Sequence, residues 1–402
     1  MYRSFPQYLK EIFPCKMQKI SLNVGLNCPN RDGSIGRGGC TYCNNRSFNP
    51  AYCELEKSVT QQLDEGVAFF AHKYPEMEYL AYFQSYTNTY GEASRLRSYY
   101  EEALAYPKVR GLIIATRPDC ISPSLMDYFA ELSQRTFLLI ELGVESLNDE
   151  TLRLINRGHD AACARQCVHA LAARGIPVGI HIILGLPGES REQMLASAVE
   201  LSNWPITTLK LHQLQLIKDT VLARQVAEQP DFVQLFSLDE YIAFLAQYMA
   251  RLRPDIVLDR FVSQSPKEYL IAPDWGLKNF EFTHRLDNYL RRHNIRQGCL
   301  YINDNKTDIK PINPMKINKN YKLRQVAGET IVVNQGKGGM DMTRIISLND
   351  SARFLYESFV GKDFTAEDAA AALVRQYGID SALAAKDAQT WIDALLKCKV
   401  IE

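Results

Sequence analysis

The sequence predicts an α/β fold, in which six parallel strands alternate with helices as a partial barrel, followed by a small α+β region. From residue 19 to residue 220, short apolar runs alternate with segments of helical periodicity. Several of these runs are almost continuously apolar, which is typical of parallel strands covered on both faces. Near Tyr321 the pattern changes to short strands followed by helices. A doubly wound sheet is the alternative topology for the first region.

The predicted strands and helices alternate along the chain. The strands cover 19–27, 78–90, 109–120, 136–146, 176–190 and 207–220. The helices cover 55–74, 92–105, 123–135, 148–158, 160–175 and 191–204. A complete parallel barrel has eight such units, so six units predict a partial barrel. Residues 238–299 are predicted to be helical or irregular and to cover the barrel.

Charge and composition narrow the classes of function. Lys and Arg number 46 and Asp and Glu number 46, so no overall charge attracts nucleic acid or an anionic membrane. No apolar run approaches the ~20 residues of a membrane span, and the N-terminus lacks the apolar centre of a signal peptide. We therefore expect a soluble cytoplasmic protein. The ten cysteines are not spaced as a disulfide framework, so a tight group of them is expected to bind metal.

Polar or glycine-rich segments stand at the ends of all six predicted strands. They are the stretch from Cys28 to Cys43 and residues 84–88, 116–119, 141–145, 185–189 and 212–215. In parallel α/β folds, ligands bind at the carboxyl ends of the strands. We therefore expect these segments to form one site.

The stretch CPNRDGSIGRGGCTYC predicts a metal centre. Cys28, Cys40 and Cys43 have the spacing C-x11-C-x2-C. Three thiolates bind three irons of a [4Fe–4S] cluster and leave the fourth iron open to another ligand. The four glycines of the stretch permit the positive-φ turns of a loop around a compact cluster. A structural zinc site is the alternative, although zinc prefers four closed ligands.

With these residues the chain resembles a radical S-adenosylmethionine (SAM) enzyme. The phrases CPNRDGSIGRGGCTYC, LAYFQSYTNTY, TRPDC, ELGVES, INRGHD, GLPGE and KLHQLQLIK, in that order, are similar to those of the YhcC-type radical SAM family, which is related to the Elongator catalytic subunit. The resemblance covers about residues 5–300. It implies a [4Fe–4S] cluster and SAM as cofactors, and reductive cleavage of SAM to a 5′-deoxyadenosyl radical that takes a hydrogen atom from a substrate. A one-electron reductant such as flavodoxin or ferredoxin is implied as a partner.

The resemblance also implies roles for individual residues. Cys28, Cys40 and Cys43 would bind the cluster, and the SAM-binding positions would be Gln84, Ser85, Tyr86, Thr116, Glu141, Glu145, Arg157, His181, Gly185 and His212. Within this set, the segment from Gln84 to Tyr86 would meet the amino group of SAM. Glu145 would accept the ribose hydroxyls, at a position where relatives commonly have Gln. Arg157 would pair with the SAM carboxylate through its bidentate fork. His181 would lie near the ribose, and Gly185 would let the adenine approach the backbone.

The residues after the barrel predict a linker and a second domain. Residues 302–320 are rich in Asn, Lys, Asp and Pro without apolar periodicity, which is typical of a linker. From Tyr321 onward, three strands and three helices are predicted, enough for an independent winged-helix-like domain. We therefore divide the chain into a barrel with its cover over 1–301, a linker over 302–320 and a domain over 321–402.

The second domain resembles a PqqD-like domain over about residues 315–402. The resemblance lies in ISLNDSARFLYESFVGKDFTAEDAAAALVRQYG and the later LLKCKVIE. Such domains recognise the leader of a ribosomally made peptide, which adds as a strand to a sheet edge. The resemblance implies a hairpin of 321–325 and 329–333 beside the groove, with Phe354 and Leu355 lining or underlying it. A small scaffold that stabilises the barrel is the alternative.

Three functions are compatible with these observations. The first is a radical SAM enzyme that modifies a peptide recruited by the C-terminal domain. The second is a radical SAM enzyme that acts on tRNA, by analogy with the Elongator relative, although the balanced charge weighs against it. The third is a non-catalytic peptide-binding adaptor with a structural cluster. The intact cysteine trio and the SAM-type phrases argue against this adaptor.

Overall fold

The computed structural model describes the chain except for residues 45–49, 51, 72–75, 303–314, 327–328, 336–340, 399 and 402. The chain divides into two compact units, Met1–Ile302 and Asn303–Glu402. Each unit has an apolar core of its own. None of the helices within the described ranges is long and apolar enough to cross a membrane.

The first unit is built on a sheet of seven parallel strands. The unit as a whole has nine described strands: β1 (Met17–Leu22), β2 (Glu78–Phe83), β3 (Val109–Thr116), β4 (Phe137–Glu145), β5 (Val178–Leu184), β6 (Thr208–Gln213), β7 (Leu216–Ile217), β8 (Val257–Arg260) and β9 (Leu270–Ala272). The order in the sheet is β1-β2-β3-β4-β5-β6-β8, and β7 pairs with β9 outside it. A doubly wound sheet would reverse this order at a switch point. The steady order therefore confirms the predicted partial barrel.

The seventh strand, β8, corrects the prediction of six strands. It lies within residues 238–299, which the sequence predicted to be helical or irregular. Its apolar part is short, because Ile256, Val257 and Leu258 are followed at once by Asp259 and Arg260. So short a run has no periodicity of its own to distinguish it from a loop. Parallel pairing with β6 and complete burial of the apolar residues make it a strand.

Eleven described helices cover the sheet. They are α1 (Phe5–Ile12), α2 (Pro29–Asp32), α3 (Val59–Ala71), α4 (Ala93–Ala105), α5 (Pro123–Arg135), α6 (Asp149–Leu154), α7 (Ala161–Ala172), α8 (Arg191–Ser202), α9 (Val221–Glu228), α10 (Leu238–Arg251) and α11 (Asn279–Arg292). Local signals set their starts. Ser122 caps α5 with a proline at the first helical position, and Ser190 and Gln193 form a capping box on α8.

The parallel alignment gathers the carboxyl ends of the strands at one edge. Fully buried side chains such as Ile20, Leu112 and Ile140 join the strands to the core, each contributing roughly 1.5–3 kcal/mol by burial. The predicted strand over 78–90 stops at Phe83. The polar residues that follow leave the sheet, where the Asn88 amide donates to the carbonyl oxygens of Phe83 at 3.0 Å and Ala115 at 2.8 Å. The strand ends therefore present polar side chains at a single edge.

The second unit is a small α+β fold. Its elements are β10 (Met315–Lys316), β11 (Tyr321–Val326), β12 (Glu329–Asn334), β13 (Asp341–Leu348), α12 (Asp350–Phe359), β14 (Asp363–Phe364), α13 (Ala366–Tyr377) and α14 (Ser381–Lys397). Strands β11, β12 and β13 form an antiparallel sheet in that order. Thr365 caps α13, since its hydroxyl accepts from the Asp368 N–H at 3.1 Å.

The start of the second unit lies inside the segment predicted as a linker. Strand β10 pairs with β14 through Met315 and Phe364, while residues 303–314 lie outside the described residues. The core contains Val332, Leu355 and Trp391. Leu355 is therefore a core residue. The neighbouring Phe354 is half-buried and packs edge-on against Tyr377.

Candidate active site

A pocket opens at the carboxyl edge of the sheet in the first unit. Among the residues predicted to bind cofactors, it is lined by Cys28, Cys40, Cys43, Gln84, Tyr86, Thr116, Glu145, Arg157, His181 and His212. These residues come from the cysteine loop, from strands β2 to β6 and the residues that follow them, and, for Arg157, from the loop after α6. The pocket therefore brings together most of the predicted site.

The cysteine loop folds back on itself after Cys28. A single turn, α2, follows Cys28, and Gly33, Gly38 and Gly39 take φ angles of +99°, +81° and +80°. L side chains rarely adopt such angles, so these glycines fulfil the role predicted for them. The Cys43 N–H donates to the carbonyl of Cys40 at 3.0 Å. This tight C-x2-C turn presents the second and third cysteines on the same side of the pocket.

The surroundings of the thiols fit a cluster with three cysteine ligands. Cys28 and Cys40 are each 8% exposed. Arg157 Nη1 lies 3.4 Å and Asn30 Nδ2 3.7 Å from Cys40 Sγ, so two donors face the sulfur. Hydrogen bonds to cysteine sulfurs tune an iron–sulfur cluster. Among the described residues, no three His, Cys, Asp or Glu side chains are spaced to hold a single metal ion, whereas cluster thiolates bind separate irons.

Arg157 and Glu145 form the wall next to the cysteines. Arg157 donates through Nη2 to the carbonyl of Gly143, and the same nitrogen lies 3.8 Å from Glu145 Oε1. A Cβ on Gly143 would lie 2.6 Å from Glu145 Oε1 and 2.9 Å from Arg157 Nη2, so glycine leaves room for this pair. Burial opposes the charge of Arg157, but Cys40, Tyr42 and Glu145 outweigh it and hold its pKa well above the ordinary value. The guanidinium is thus a permanent cation beside the cysteines.

The ends of β2 and β3 supply a second part of the wall. Gln84 Oε1 accepts from the Ser21 hydroxyl at 3.0 Å. Tyr86 has a φ of +55°, and the guanidinium carbon of Arg31 lies 4.8 Å from the centre of its ring. Thr116 is buried and shares a hydrogen bond with Thr89 at 2.5 Å. These contacts hold the wall in place between the cysteine loop and β4.

Four nitrogen-bearing side chains on the last three strands of the sheet, His181, Lys210, His212 and Arg260, line the pocket and are called the basic wall below. Behind them lies Glu141, 1% exposed, whose carboxylate accepts from His181 Nε2 and Lys210 Nζ, each at 2.9 Å. Burial opposes the ionisation of Glu141, but Lys210, Lys19 and His181 outweigh burial and hold its pKa well below the ordinary value. Glu141 therefore acts as a buried counter-ion to the basic wall.

His212 differs from the other members of the basic wall. Its ring stacks on that of His181 with centroids 5.9 Å apart. Its Nε2 is buried and has no hydrogen-bond partner among the described residues. Burial, followed by the positive charge of Arg260, holds the pKa of His212 well below its ordinary value. His212 is therefore a neutral ring with one unused nitrogen.

Three predicted positions do not line the pocket. Ser85 is buried, and Glu141 stands behind His181 and Lys210. Gly185 has a φ of +95°, and its open side faces Phe236 at 3.4 Å. The structure therefore places the glycine in a tight turn against an aromatic ring.

Several lining residues were missed by the sequence analysis. They are Tyr82, Lys210, Arg260, Ser263 and Ser265, whereas Arg31, Tyr42 and Arg117 lie within predicted segments but were given no individual role. Lys210 sits within β6 rather than at its end, and Arg260 belongs to the unpredicted β8. The signal for Arg260 was an apolar run, IVL, followed by two charged residues, the same polar strand end that marked the other strands.

The chain matches known families over most of its length. Residues 23–201 match the Radical SAM superfamily, and residues 206–292 match the Radical_SAM C-terminal domain. YtqA of Bacillus subtilis is 33% identical over 300 residues, which are 75% of this chain and 92% of YtqA. The chain belongs to the radical SAM superfamily. YhcC of Escherichia coli K12 is also 33% identical, over 71% of this radical SAM chain and 91% of YhcC.

These comparisons confirm the resemblances found in the sequence. As a radical SAM enzyme, the protein uses a [4Fe–4S] cluster and SAM. Residues 329–401 match the family of coenzyme PQQ synthesis protein D (PqqD). A solved structure of Elp3 from Methanocaldococcus infernus has a TM-score of 0.54 at 16% identity, covering 79% of this chain and 73% of that one. It is similar in fold.

Proposed function

We propose that this radical SAM enzyme modifies a peptide recruited by its PqqD domain. The observation that carries the proposal is the presence of a cofactor pocket and a PqqD domain in one chain. A pocket unites the three cysteines with Arg157 and Glu145, and a PqqD domain follows the barrel. When bound, the reduced cluster and SAM supply a 5′-deoxyadenosyl radical, which takes a hydrogen atom from the substrate.

The residues of the chain would hold these cofactors as follows. Cys28, Cys40 and Cys43 are the proposed cluster ligands. Arg157 lies next to Cys40 and presents a fixed cationic fork, which suits the carboxylate of a SAM molecule that reaches the open iron. Glu145, which lies beside Arg157, would accept hydrogen bonds from the ribose hydroxyls.

Gln84, Tyr86 and Thr116 complete the proposed cofactor wall. Their strands end around the cysteine loop, so polar groups meet SAM from several directions. Each is anchored by neighbours: Gln84 by Ser21, Thr116 by Thr89, and Tyr86 by the cation of Arg31. Such anchoring keeps the groups preorganised, which is what controlled radical chemistry requires of a protein.

The PqqD domain would supply the peptide. Strands β11 and β13 are the two edges of its three-stranded sheet. An edge strand offers unpaired backbone groups to which an extended leader adds as a further strand. Lys322, Arg324 and Gln325 are described on β11, with Lys322 and Gln325 exposed. This arrangement supports recognition of a peptide through its backbone.

Two measurements test this proposal. Anaerobic protein reconstituted with iron and sulfide is mixed with SAM and dithionite, and 5′-deoxyadenosine is quantified by chromatography. Peptides encoded beside the gene and bulk tRNA are then presented to the full chain in parallel pull-downs. We expect 5′-deoxyadenosine and retention of a peptide. Absence of 5′-deoxyadenosine would contradict SAM cleavage, and retention of tRNA alone would replace the peptide by a nucleic-acid substrate.

A further inference from the structure

We propose that Arg260 and His212 bind the carboxylate of an acidic residue in the substrate peptide. This inference rests on the proposed function and specifies its substrate class. Both side chains line the active-site pocket at the far edge of the sheet, on β8 and β6. The cysteine loop follows β1, at the other edge. The site thus lies at a different part of the pocket wall from the cluster.

Arg260 is the strong cation of the basic wall that lacks a counter-ion. Lys210 pairs with Glu141 at 2.9 Å and with Asp259 at 3.3 Å. Lys19 pairs with Asp259 at 2.7 Å. Within the part of the chain that the structure describes, Arg260 makes no ion pair, and its buried Nε has no hydrogen-bond partner. A buried polar group without a partner is destabilising, so a ligand that bonds to Arg260 gains stability.

The charges around Arg260 call for one negative charge. Lys19, Lys210 and Arg260 carry three positive charges, while Glu141 and Asp259 carry two negative ones. These five side chains together therefore carry one positive charge in excess. A single carboxylate balances this excess, whereas a doubly charged phosphate monoester exceeds it.

The carboxylate of SAM is not the ligand that this site requires. SAM must reach an iron beside the cysteines, where Arg157 lies 3.4 Å from Cys40 Sγ. The charge of Arg260 instead acts on His212, where, after burial, it lowers the pKa of the ring. Arg157 and Arg260 therefore lie at separate places in the pocket wall. Arg157 suits SAM, and Arg260 is left for the substrate.

His212 adds a second donor to the proposed site. Its unpartnered Nε2 donates when that nitrogen carries the proton of the neutral ring. A guanidinium fork together with one imidazole N–H satisfies both oxygens of a carboxylate. A glutamine or asparagine side chain offers one acceptor oxygen and leaves the positive charge uncompensated. The site therefore distinguishes an acidic residue from its amide.

The test compares two small probes that differ only in charge. Acetyl-Gly-Glu-amide and acetyl-Gly-Gln-amide are titrated into the full-length, cluster-loaded protein with SAM present and no reductant. Binding is followed by ligand-observed NMR. The variants are Arg260→Gln, which removes the charge, Arg260→Lys, which keeps it, and the matched control Arg292→Gln, whose side chain is exposed on α11. Affinity for SAM is measured in each.

We expect the glutamyl probe to bind at least about 10-fold more tightly than the glutaminyl probe, because only its carboxylate compensates the charge of Arg260. Arg260→Gln should abolish this preference, Arg260→Lys should restore part of it, and Arg292→Gln should leave it unchanged. Affinity for SAM should stay within about 3-fold.

Three results would overturn the inference. The first is that the two probes bind equally. The second is that SAM affinity falls in Arg260→Gln as far as probe affinity does. The third is that uridine monophosphate displaces the glutamyl probe at a lower concentration than added acetyl-Gly-Glu-amide does. The outcome is independent of 5′-deoxyadenosine formation. Failure of SAM cleavage contradicts the proposed function, while intact SAM cleavage without probe discrimination contradicts the carboxylate site alone.

Discussion

The two units of this chain differ in the polar and charged side chains that they bury. The first unit buries charged side chains at its pocket, among them Arg117, Glu141, Arg157 and Lys210. In the described part of the second unit, the buried polar side chain is Thr330, at 9% exposure. Burying an ion costs several kcal/mol unless it is paired. The first unit therefore carries an electrostatic structure suited to chemistry, while the second is an apolar fold suited to presenting backbone edges.

The largest effect is expected from the cysteine loop. Cys40→Ala should remove a cluster ligand and lower 5′-deoxyadenosine formation on the order of 10³-fold or more. Peptide retention by the second unit should remain unchanged. Iron content and chromatography of 5′-deoxyadenosine measure the first result, and the pull-down measures the second. Cys120→Ala is the control, because Cys120 does not line the pocket; equal losses in both variants would contradict the assigned ligands.

The second-largest effect is expected from a substitution of Arg157. Arg157→Gln removes a buried cation from beside Cys40 and Glu145, and SAM affinity should fall at least about 100-fold, because the partner of a buried charge pair is lost. Equilibrium binding of SAM to the cluster-loaded protein measures the change. Arg153→Gln, an exposed neighbour on α6, is the matched control. Unchanged SAM affinity in Arg157→Gln would remove this residue from the cofactor site.

A core substitution in the second unit should leave the first unit alone. Leu355 is 1% exposed, and Leu355→Ala should lower the free energy of unfolding of the second unit by about 2–5 kcal/mol. Calorimetry of the full chain should show one transition shifted to lower temperature and the other unmoved. Leu383→Ala is the control, since Leu383 is 48% exposed. Equal shifts of both transitions would show that the units unfold together and would contradict the expectation that each unit is stabilised by its own core.

The smallest effect concerns pH and the first unit. Burial raises the pKa of Glu189 from 4.5 to about 7, against a hydrogen bond from Ser146. The folded state holds this proton more tightly than the unfolded state, so its stabilising effect is present below pH 4.5 and declines up to about pH 7. Relative to Glu189→Gln, the wild type should lose about 1–3 kcal/mol of unfolding free energy over that range. Denaturant titrations measure the free energy of unfolding at each pH. If this free energy changed with pH equally in the wild type and in Glu189→Gln, the raised pKa of Glu189 would be contradicted.

The sequence predicted the fold and most of the pocket because the signals were local. Cys28, Cys40 and Cys43 are recognised by their spacing, and β1 to β6 each have at least six residues, long enough for a strand pattern to be read. Strand β8 has four residues and was not predicted, so Arg260 was not predicted as a pocket residue either. Lys210 was missed for another reason. A lysine inside an apolar strand becomes meaningful only when Glu141 and Asp259 from two other strands are seen to pair with it.

Gly185 illustrates the opposite limit. A glycine at a strand end suggested open space beside a ligand, yet its free side faces Phe236 from a segment more than 50 residues away. Glycine permits a close approach, and only the tertiary structure says which group approaches.

We propose that the second unit recruits the peptide that is modified in the pocket of the first. The most direct measurement uses a perdeuterated peptide encoded beside the gene, incubated with the reconstituted enzyme, SAM and dithionite, and mass spectrometry of the 5′-deoxyadenosine formed. We predict deuterium in the 5′-deoxyadenosine, because the hydrogen atom comes from the peptide. Unlabelled 5′-deoxyadenosine from this reaction, together with deuterium transfer from deuterated tRNA, would contradict the account.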